Sequence, residues 1–170
     1  RAEFNHVLGS IHCDLPEYKN LYFNGDPVAF QRIYFDHLAM SAESGLFDTL
    51  SHPDLVKNSN PSEWQPDRIM DDIRRALDRI AAAGTAMELN TSGLQKRVKE
   101  MNPGFTILVE MRARGIPVVI GADAHKPERV AENYEQALNN LQEAGYGHVS
   151  IFLNRTRQDI DIETARASLK

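Results

Sequence analysis

The sequence is poor in cysteine, in long apolar runs, and in basic residues relative to acidic ones. Cys13 is the single cysteine among 170 residues, so an internal disulfide cannot form and disulfide-rich secreted scaffolds are excluded. No apolar run approaches the roughly 18 residues that cross a bilayer, so an integral membrane protein is not expected. The net charge of −5 disfavours nucleic acid as a partner, because such binding needs a basic surface.

The composition is typical of one folded domain. Hydrophobic residues make up 42% and charged residues 25% of the chain, close to the average of globular proteins. The first residues carry neither the apolar segment nor the cleavage site of a secretory signal, and a lone thiol fits the reducing cytoplasm. Because an initiator methionine is also missing, we expect the chain to be part of a longer protein.

Short apolar segments alternate with amphipathic ones along the chain. The β-branched and apolar runs predict strands at 7–11, 46–50, 86–89, 116–120 and 148–153. Apolar residues at helical spacing predict helices at 27–44, 61–83, 103–114 and 127–144. The remaining segments, 14–25 and the tail 154–170, are expected to be loops, the tail with a short helix. Strict alternation of strand and helix is typical of an α/β fold with a parallel sheet.

Candidate metal ligands come directly after three of the predicted strands. His12 follows the first strand, His52 the second, and Asp123 and His125 the fourth. The C-terminal ends of parallel strands share one face, so these side chains can converge there. Imidazole and carboxylate suit zinc, manganese or iron. A single histidine at a strand end is more often a hydrogen-bonded loop residue, so the hypothesis rests on the set.

Five further residues are given structural roles. His6 precedes the first strand, His148 starts the fifth, and His37 lies within a helix, which places all three away from this face. Cys13 is expected to be a buried, unreactive thiol. Glu88 lies inside the third strand and must find a partner there, either as a group supporting the site or in a salt bridge.

The segment after the third strand could hold a phosphate group. Asn90 and Ser92 stand at the strand end, Gly93 introduces a turn, and the cations Lys96 and Arg97 follow. Backbone N–H groups, a hydroxyl and two cations can together bind phosphate oxygens. The alternative is an ordinary surface loop with solvated cations.

Four motifs stand in order between residues 7 and 152. They are Gly-Ser-Ile-His at 9–12, Phe-Asp-Thr-Leu-Ser-His-Pro-Asp-Leu-Val-Lys at 47–57, Glu-Leu-Asn-Thr-Ser-Gly-Leu at 88–94 and Gly-Ala-Asp-Ala-His-Lys-Pro at 121–127. Together they resemble the polymerase-and-histidinol-phosphatase superfamily, and most closely its histidinol-phosphatase branch. The resemblance covers nearly the whole chain.

The resemblance implies a distorted (β/α)7-type barrel, of which this chain covers about five strands and four helices. Residues 1–170 would form a single domain, the C-terminal two-thirds of the barrel. The implied function is that of a metal-dependent phosphatase of histidine biosynthesis. It would hydrolyse histidinol phosphate to histidinol and phosphate with a metal-activated water. The site would hold up to three divalent ions of zinc, manganese or iron.

The resemblance also implies roles for individual residues. The implied metal ligands are His12, His52, Asp123 and His125. Asp123 and His125 would form the catalytic centre. The implied substrate-binding residues are Asn90, Ser92, Lys96 and Arg97, with Lys126 as a weaker candidate. The expected partner is a small phosphorylated substrate, with no membrane and no nucleic acid.

The chain departs from the family pattern in several places. The H-x-H motif of the family's first strand, with further His and Glu ligands, has no match ahead of His12. Gln95 stands where phosphatase relatives often carry Arg, and Ala122 where they often carry Ser. Two alternatives therefore stay open. One is a nuclease or nucleotide phosphoesterase of the same superfamily, and the other is a non-catalytic scaffold.

Overall fold

The chain folds around a parallel β-sheet in a computed structural model that describes residues 3–169. The sheet contains β1 (Leu8–Gly9), β2 (Thr49–Leu50), β3 (Ala86–Asn90) and β4 (Val118–Gly121), adjacent in that order. All three strand pairs are parallel. The predicted α/β class with a parallel sheet is therefore confirmed.

Six helices accompany the strands in the described part of the chain. They are α1 (Pro16–Tyr22), α2 (Pro27–Glu43), α3 (Met70–Ala83), α4 (Phe105–Ala113), α5 (Tyr134–Glu143) and α6 (Ile162–Ala167). The start of α2 follows from its sequence: the Asp26 carboxylate accepts hydrogen bonds from the backbone N–H groups of Val28 (2.9 Å) and Ala29 (3.2 Å), and proline occupies the first helical position.

The core is one cluster of buried side chains from the sheet and from α2, α3, α4, α5 and α6. The apolar faces predicted from helical spacing are buried, including Tyr34 and Leu38 of α2 and Ile73, Leu77 and Ile80 of α3. The opposite faces of α2 and α3 carry exposed ion pairs such as Arg32–Asp72, at 3.0 Å. Exposed pairs of this kind contribute little to stability, so burial of the apolar faces is what holds these helices in place.

Two predicted helices begin later than their sequence pattern suggests. The segment predicted as a helix from residue 61 starts with short 3-10 turns at Pro61–Glu63 and Pro66–Ile69. The segment predicted as a helix from residue 127 starts with a 3-10 turn at Pro127–Arg129 and is irregular from there until α5 begins. Ala131 and Asn133 there have φ angles of 60° and 61°, which an α-helix excludes.

Two segments predicted as loops contain regular structure. Helix α1 lies within 14–25. The tail contributes β6 (Thr156–Asp161), which pairs antiparallel with β5 (His148–Leu153). Asn154 and Arg155 both have left-handed φ angles, 52° and 59°, and such a pair makes a tight hairpin turn. The alternation of parallel strand and helix therefore stops after α5.

The tip of this hairpin holds the beginning of the described chain. The backbone carbonyl of Asn5 accepts a hydrogen bond from the Arg155 backbone N–H at 2.8 Å, and the Arg155 guanidinium contacts the Asp48 carboxylate at 3.1 Å. The His6 ring stacks on Phe152 with 4.8 Å between ring centroids. This histidine has a packing role, as its position before the first strand predicted.

None of the helices within residues 3–169 combines the length and apolar character that crossing a bilayer requires.

Leu38 and Met40 lie on opposite faces of α2 and test what holds this helix. Leu38 is fully buried and Met40 is 53% exposed. We expect Leu38→Ala to lower the free energy of unfolding by about 2–5 kcal/mol, because it leaves a cavity in the core. Met40→Ala should change it by less than about 0.5 kcal/mol. Urea denaturation measures both, and equal losses would contradict this account of the core.

Candidate active site

Glu88 places a buried carboxylate in the middle of β3. Its side chain is almost inaccessible to solvent. One oxygen, Oε2, accepts hydrogen bonds from the Ser51 hydroxyl, the His52 backbone N–H (2.8 Å) and the Asn90 side-chain amide (2.9 Å). These neutral donors compensate the buried charge. Of the two roles predicted for Glu88, the structure shows the supporting one, without a salt bridge among the described residues.

Gly121 on the neighbouring strand makes room for this carboxylate. A Cβ atom built on Gly121 would overlap Oε1 of Glu88 and would stand 2.8 Å from its Cδ. Gly121 lies opposite Asn90 in the β3–β4 register. The position of the Glu88 side chain therefore leaves no room for a side chain at position 121.

His52 follows β2 and is buried with a nitrogen left free. Its Nδ1 has no hydrogen-bond partner within the described residues. Burial lowers the pKa of His52, and the nearby charge of Glu88 opposes that effect only in part. The ring of His12 lies edge-on to it, with 5.2 Å between centroids. A neutral imidazole with a free nitrogen is the form that binds a metal ion.

Asp123 lies close to several of the polar side chains that follow β3 and β4. Its Oδ2 lies 3.5 Å from the Ser92 hydroxyl and 3.7 Å from Lys96 Nζ. Its Oδ1 lies 3.4 Å from His125 Nε2. The Ser92 hydroxyl also donates to Asn90 Oδ1 at 2.6 Å. A carboxylate, an imidazole, a hydroxyl and a cation thus share one edge of the sheet.

Two of these residues have strained backbones. His52 has φ of 33° and Asp123 has φ of 46°, in the left-handed region that residues with a Cβ rarely adopt. Such conformations cost about 1–3 kcal/mol each and persist where the surrounding structure enforces them, often at functional sites. Strain at these two positions supports a functional role for this edge.

The structure arranges the predicted metal ligands as two pairs. His12 faces His52, and Asp123 faces His125. All four residues follow the C-terminal ends of parallel strands of one sheet, so the pairs lie at the same end of that sheet. Within residues 3–169, however, no three His, Cys, Asp or Glu side chains lie close enough to form one metal site.

The predicted phosphate-binding residues differ in exposure. Asn90 and Ser92 are buried, whereas Arg97 and Lys126 are exposed. Lys96 is half-buried and reaches Asp123. The buried members are therefore held in place by hydrogen bonds, and the exposed cations are free to reorient toward a ligand.

Sequence reasoning missed a second buried network beside His52. Asp54 and Lys57 are both fully buried and form an ion pair at 3.0 Å. The available signal was a pair of opposite charges three residues apart in an otherwise apolar segment. Charged residues are almost never fully buried unless they are paired.

Cys13 is buried, as predicted. Its Sγ lies 3.4 Å from the Ser59 hydroxyl, and burial raises the pKa of the thiol to about 11. A thiol with so high a pKa is a poor nucleophile and a poor metal ligand near neutral pH.

Comparison with known proteins shows that this chain is similar to histidinol phosphatases. No family model matches the chain. The chain is 33% identical over 162 residues to a protein of Deinococcus radiodurans named probable histidinol-phosphatase, covering 92% of this chain and 60% of the relative. It is 28% identical over 130 residues to a protein of the same name from Thermotoga maritima, covering 75% of this chain and 54% of the relative.

A solved structure shares the fold. The histidinol phosphate phosphatase of Lactococcus lactis, crystallised with zinc, L-histidinol and phosphate, superposes with a TM-score of 0.76 at 17% identity. The match covers 92% of this chain and 63% of that protein. The chain therefore has the fold of part of that enzyme, and it spans between half and two-thirds of the length of these relatives.

Gly121→Ala tests whether the Glu88 carboxylate needs the space that glycine leaves at position 121. The added methyl group must displace Glu88, so we expect the free energy of unfolding to fall by roughly 1–3 kcal/mol. Gly147→Ala is the matched control, because it has nothing within 4 Å and no left-handed φ. Chemical denaturation compares the free energies of unfolding of the two variants. Equal values would show that the Glu88 carboxylate does not depend on glycine at position 121.

Alkylation tests the predicted inertness of Cys13. With a pKa of about 11, roughly one thiol in a thousand is ionised at pH 8. We expect iodoacetamide to label the native protein far more slowly than the same protein in denaturant, as followed by mass spectrometry. Equal rates would show that the thiol is accessible and reactive.

Proposed function

We propose that this protein is a metal-dependent phosphatase that hydrolyses histidinol phosphate to histidinol and phosphate. The observation that carries the proposal is the pairing of His12 with His52 and of Asp123 with His125 at one sheet edge. The similarity to probable histidinol-phosphatases, which extends over 92% of the chain in one case, supports this substrate over other phosphate esters.

The donor set fits a divalent ion. His12, His52, Asp123 and His125 supply three imidazoles and a carboxylate, which are the ligands that zinc, manganese and iron share. The free, buried Nδ1 of His52 is a donor atom for which the described protein supplies no partner. When bound, such an ion neutralises charge on phosphate oxygens and lowers the pKa of water. The Lactococcus lactis structure contains zinc together with L-histidinol and phosphate.

The segment after β3 would bind the substrate phosphate. The Ser92 hydroxyl stands between Asn90 and Asp123, so it can turn toward a phosphate oxygen. Lys96 lies near Asp123 at 3.7 Å, and Arg97 is exposed beside it. Two cations next to a hydroxyl would bind the non-transferred oxygens of the substrate through charge-assisted hydrogen bonds.

We further propose that the chain forms the C-terminal part of a distorted (β/α)7 barrel of the polymerase-and-histidinol-phosphatase superfamily. The four parallel strands and the length of the relatives support this. The remaining strands would supply further metal ligands. This would account for the arrangement of the described candidates as pairs without a third close ligand.

Phosphate release from L-histidinol phosphate tests the activity. We expect turnover by the zinc-loaded protein and its loss after chelation. His125→Gln should lower kcat/KM by about 10²-fold, because charge stabilisation at the phosphate is weakened. His148→Gln is the matched control, since His148 is exposed and begins β5, away from the strand ends that form the site.

The same assay separates the alternatives. Preferential turnover of nucleotides or oligonucleotide ends would replace the proposal with a nuclease-type activity. Absence of turnover together with absence of bound metal in mass spectrometry of the intact protein would indicate a non-catalytic scaffold.

A further inference from the structure

The buried ion pair of Asp54 and Lys57 joins two segments that are distant in sequence. Lys57 lies in a 3-10 turn, Leu55–Asn58, that starts three residues after His52. Its ammonium group donates to Asp54 Oδ2 at 3.0 Å, to Glu100 Oε1 at 3.1 Å and to the backbone carbonyl of Met101 at 2.7 Å. All three donor positions of the ammonium are therefore used.

Asp54 and Asn58 extend this connection. Oδ2 of Asp54 also accepts a hydrogen bond from the Gly104 backbone N–H at 2.8 Å. The side-chain oxygen of Asn58 accepts one from the Val98 backbone N–H at 2.9 Å. The turn after His52 thus contacts residues 98–104 at their beginning, middle and end.

The same segment is also attached to β3. Asn102 and Asn90 exchange both backbone hydrogen bonds, at 2.7 and 3.0 Å. Gly93 packs so closely on the backbone of Glu100 that a Cβ atom there would overlap its carbonyl oxygen. Residues 98–104 are therefore held between the His52 turn and the turn that leads to Lys96.

We propose that Asp54 and Lys57 are positioning residues that hold residues 98–104, and with them the adjoining backbone of Lys96 and Arg97, in place for phosphate binding. The inference rests on the proposed function, since it assigns the ion pair a role in binding that substrate. Neither side chain contacts Asp123, Ser92 or His125 in the described contacts, so the role is indirect. A fully buried lysine costs desolvation that an apolar residue would not, and the three connections that it makes account for its use here.

The test removes both charges together. A single Lys57→Met substitution would leave Asp54 buried without a partner and could unfold the protein. The double variant Asp54→Asn, Lys57→Met nearly keeps the volumes and leaves no fully buried charge without a partner, because the Glu100 carboxylate that also loses Lys57 is 40% exposed. The side-chain oxygen introduced by Asp54→Asn can still accept a hydrogen bond from the Gly104 backbone N–H. The hydrogen bonds from Lys57 to Glu100 and Met101 are lost. The matched control is Asp72→Asn, Arg32→Met, which removes an exposed pair of the same 3.0 Å length.

Two measurements are made on the folded variants. We expect the KM for histidinol phosphate to rise about tenfold with kcat changed less than about threefold, as for loss of substrate binding alone. Amide hydrogen exchange of residues 98–104 should accelerate about tenfold or more, with α3 and residues 86–89 of β3 unchanged, because only this segment is released. The control pair should change neither quantity.

The outcomes separate this inference from the proposed function. An unchanged KM, or exchange that accelerates equally throughout the molecule, would show that the ion pair contributes only stability. Amide hydrogen exchange can be measured on a protein that has no enzymatic activity. A wild-type protein inactive on histidinol phosphate would therefore refute the proposed function, while unchanged exchange at residues 98–104 in the double variant would refute the positioning role.

Discussion

The burial of one carboxylate, that of Glu88, constrains the whole candidate site. A charge in this position is stable only if donors converge on it, and the three that do so come from the ends of β2 and β3. The bond from the His52 backbone N–H places that residue at the sheet edge, and the bond from Asn90 orients the amide whose oxygen accepts from Ser92. The neighbouring strand must carry glycine at position 121 to leave space.

His52 is supported from two sides, which explains how its backbone keeps a left-handed conformation. Glu88 binds its N–H, and the Tyr34 hydroxyl donates to its carbonyl at 3.3 Å. The Asp54–Lys57 pair then fixes the turn that follows. Strain of this kind requires surroundings that over-determine the backbone. A rigidly held imidazole with a free nitrogen suits the metal-ligand role in the proposed phosphatase better than a mobile surface histidine would.

The sequence predicted the helical faces and the class of the fold well. The apolar spacing in α2 and α3 matches their buried faces because one stripe of each helix packs on the core. The prediction of a helix from residue 127 was wrong before α5, although the apolar residues have helical spacing there. Ala131 and Asn133 adopt positive φ angles, and this local backbone conformation excludes a helix. Sequence reasoning also missed β6, because the strand is almost entirely polar and exposed and carries no apolar alternation that a prediction could use.

The residue types of the site, and their placement after parallel strands, were determined by the sequence alone, because the C-terminal ends of such strands share one edge of the sheet. Only the tertiary structure decided how those residues group. It paired His12 with His52 and Asp123 with His125, and it buried Glu88 and Lys57 among hydrogen-bond partners. Which donors meet a buried charge depends on strand register and loop packing. Those contacts join residues more than 30 positions apart, and no local pattern in the sequence encodes them.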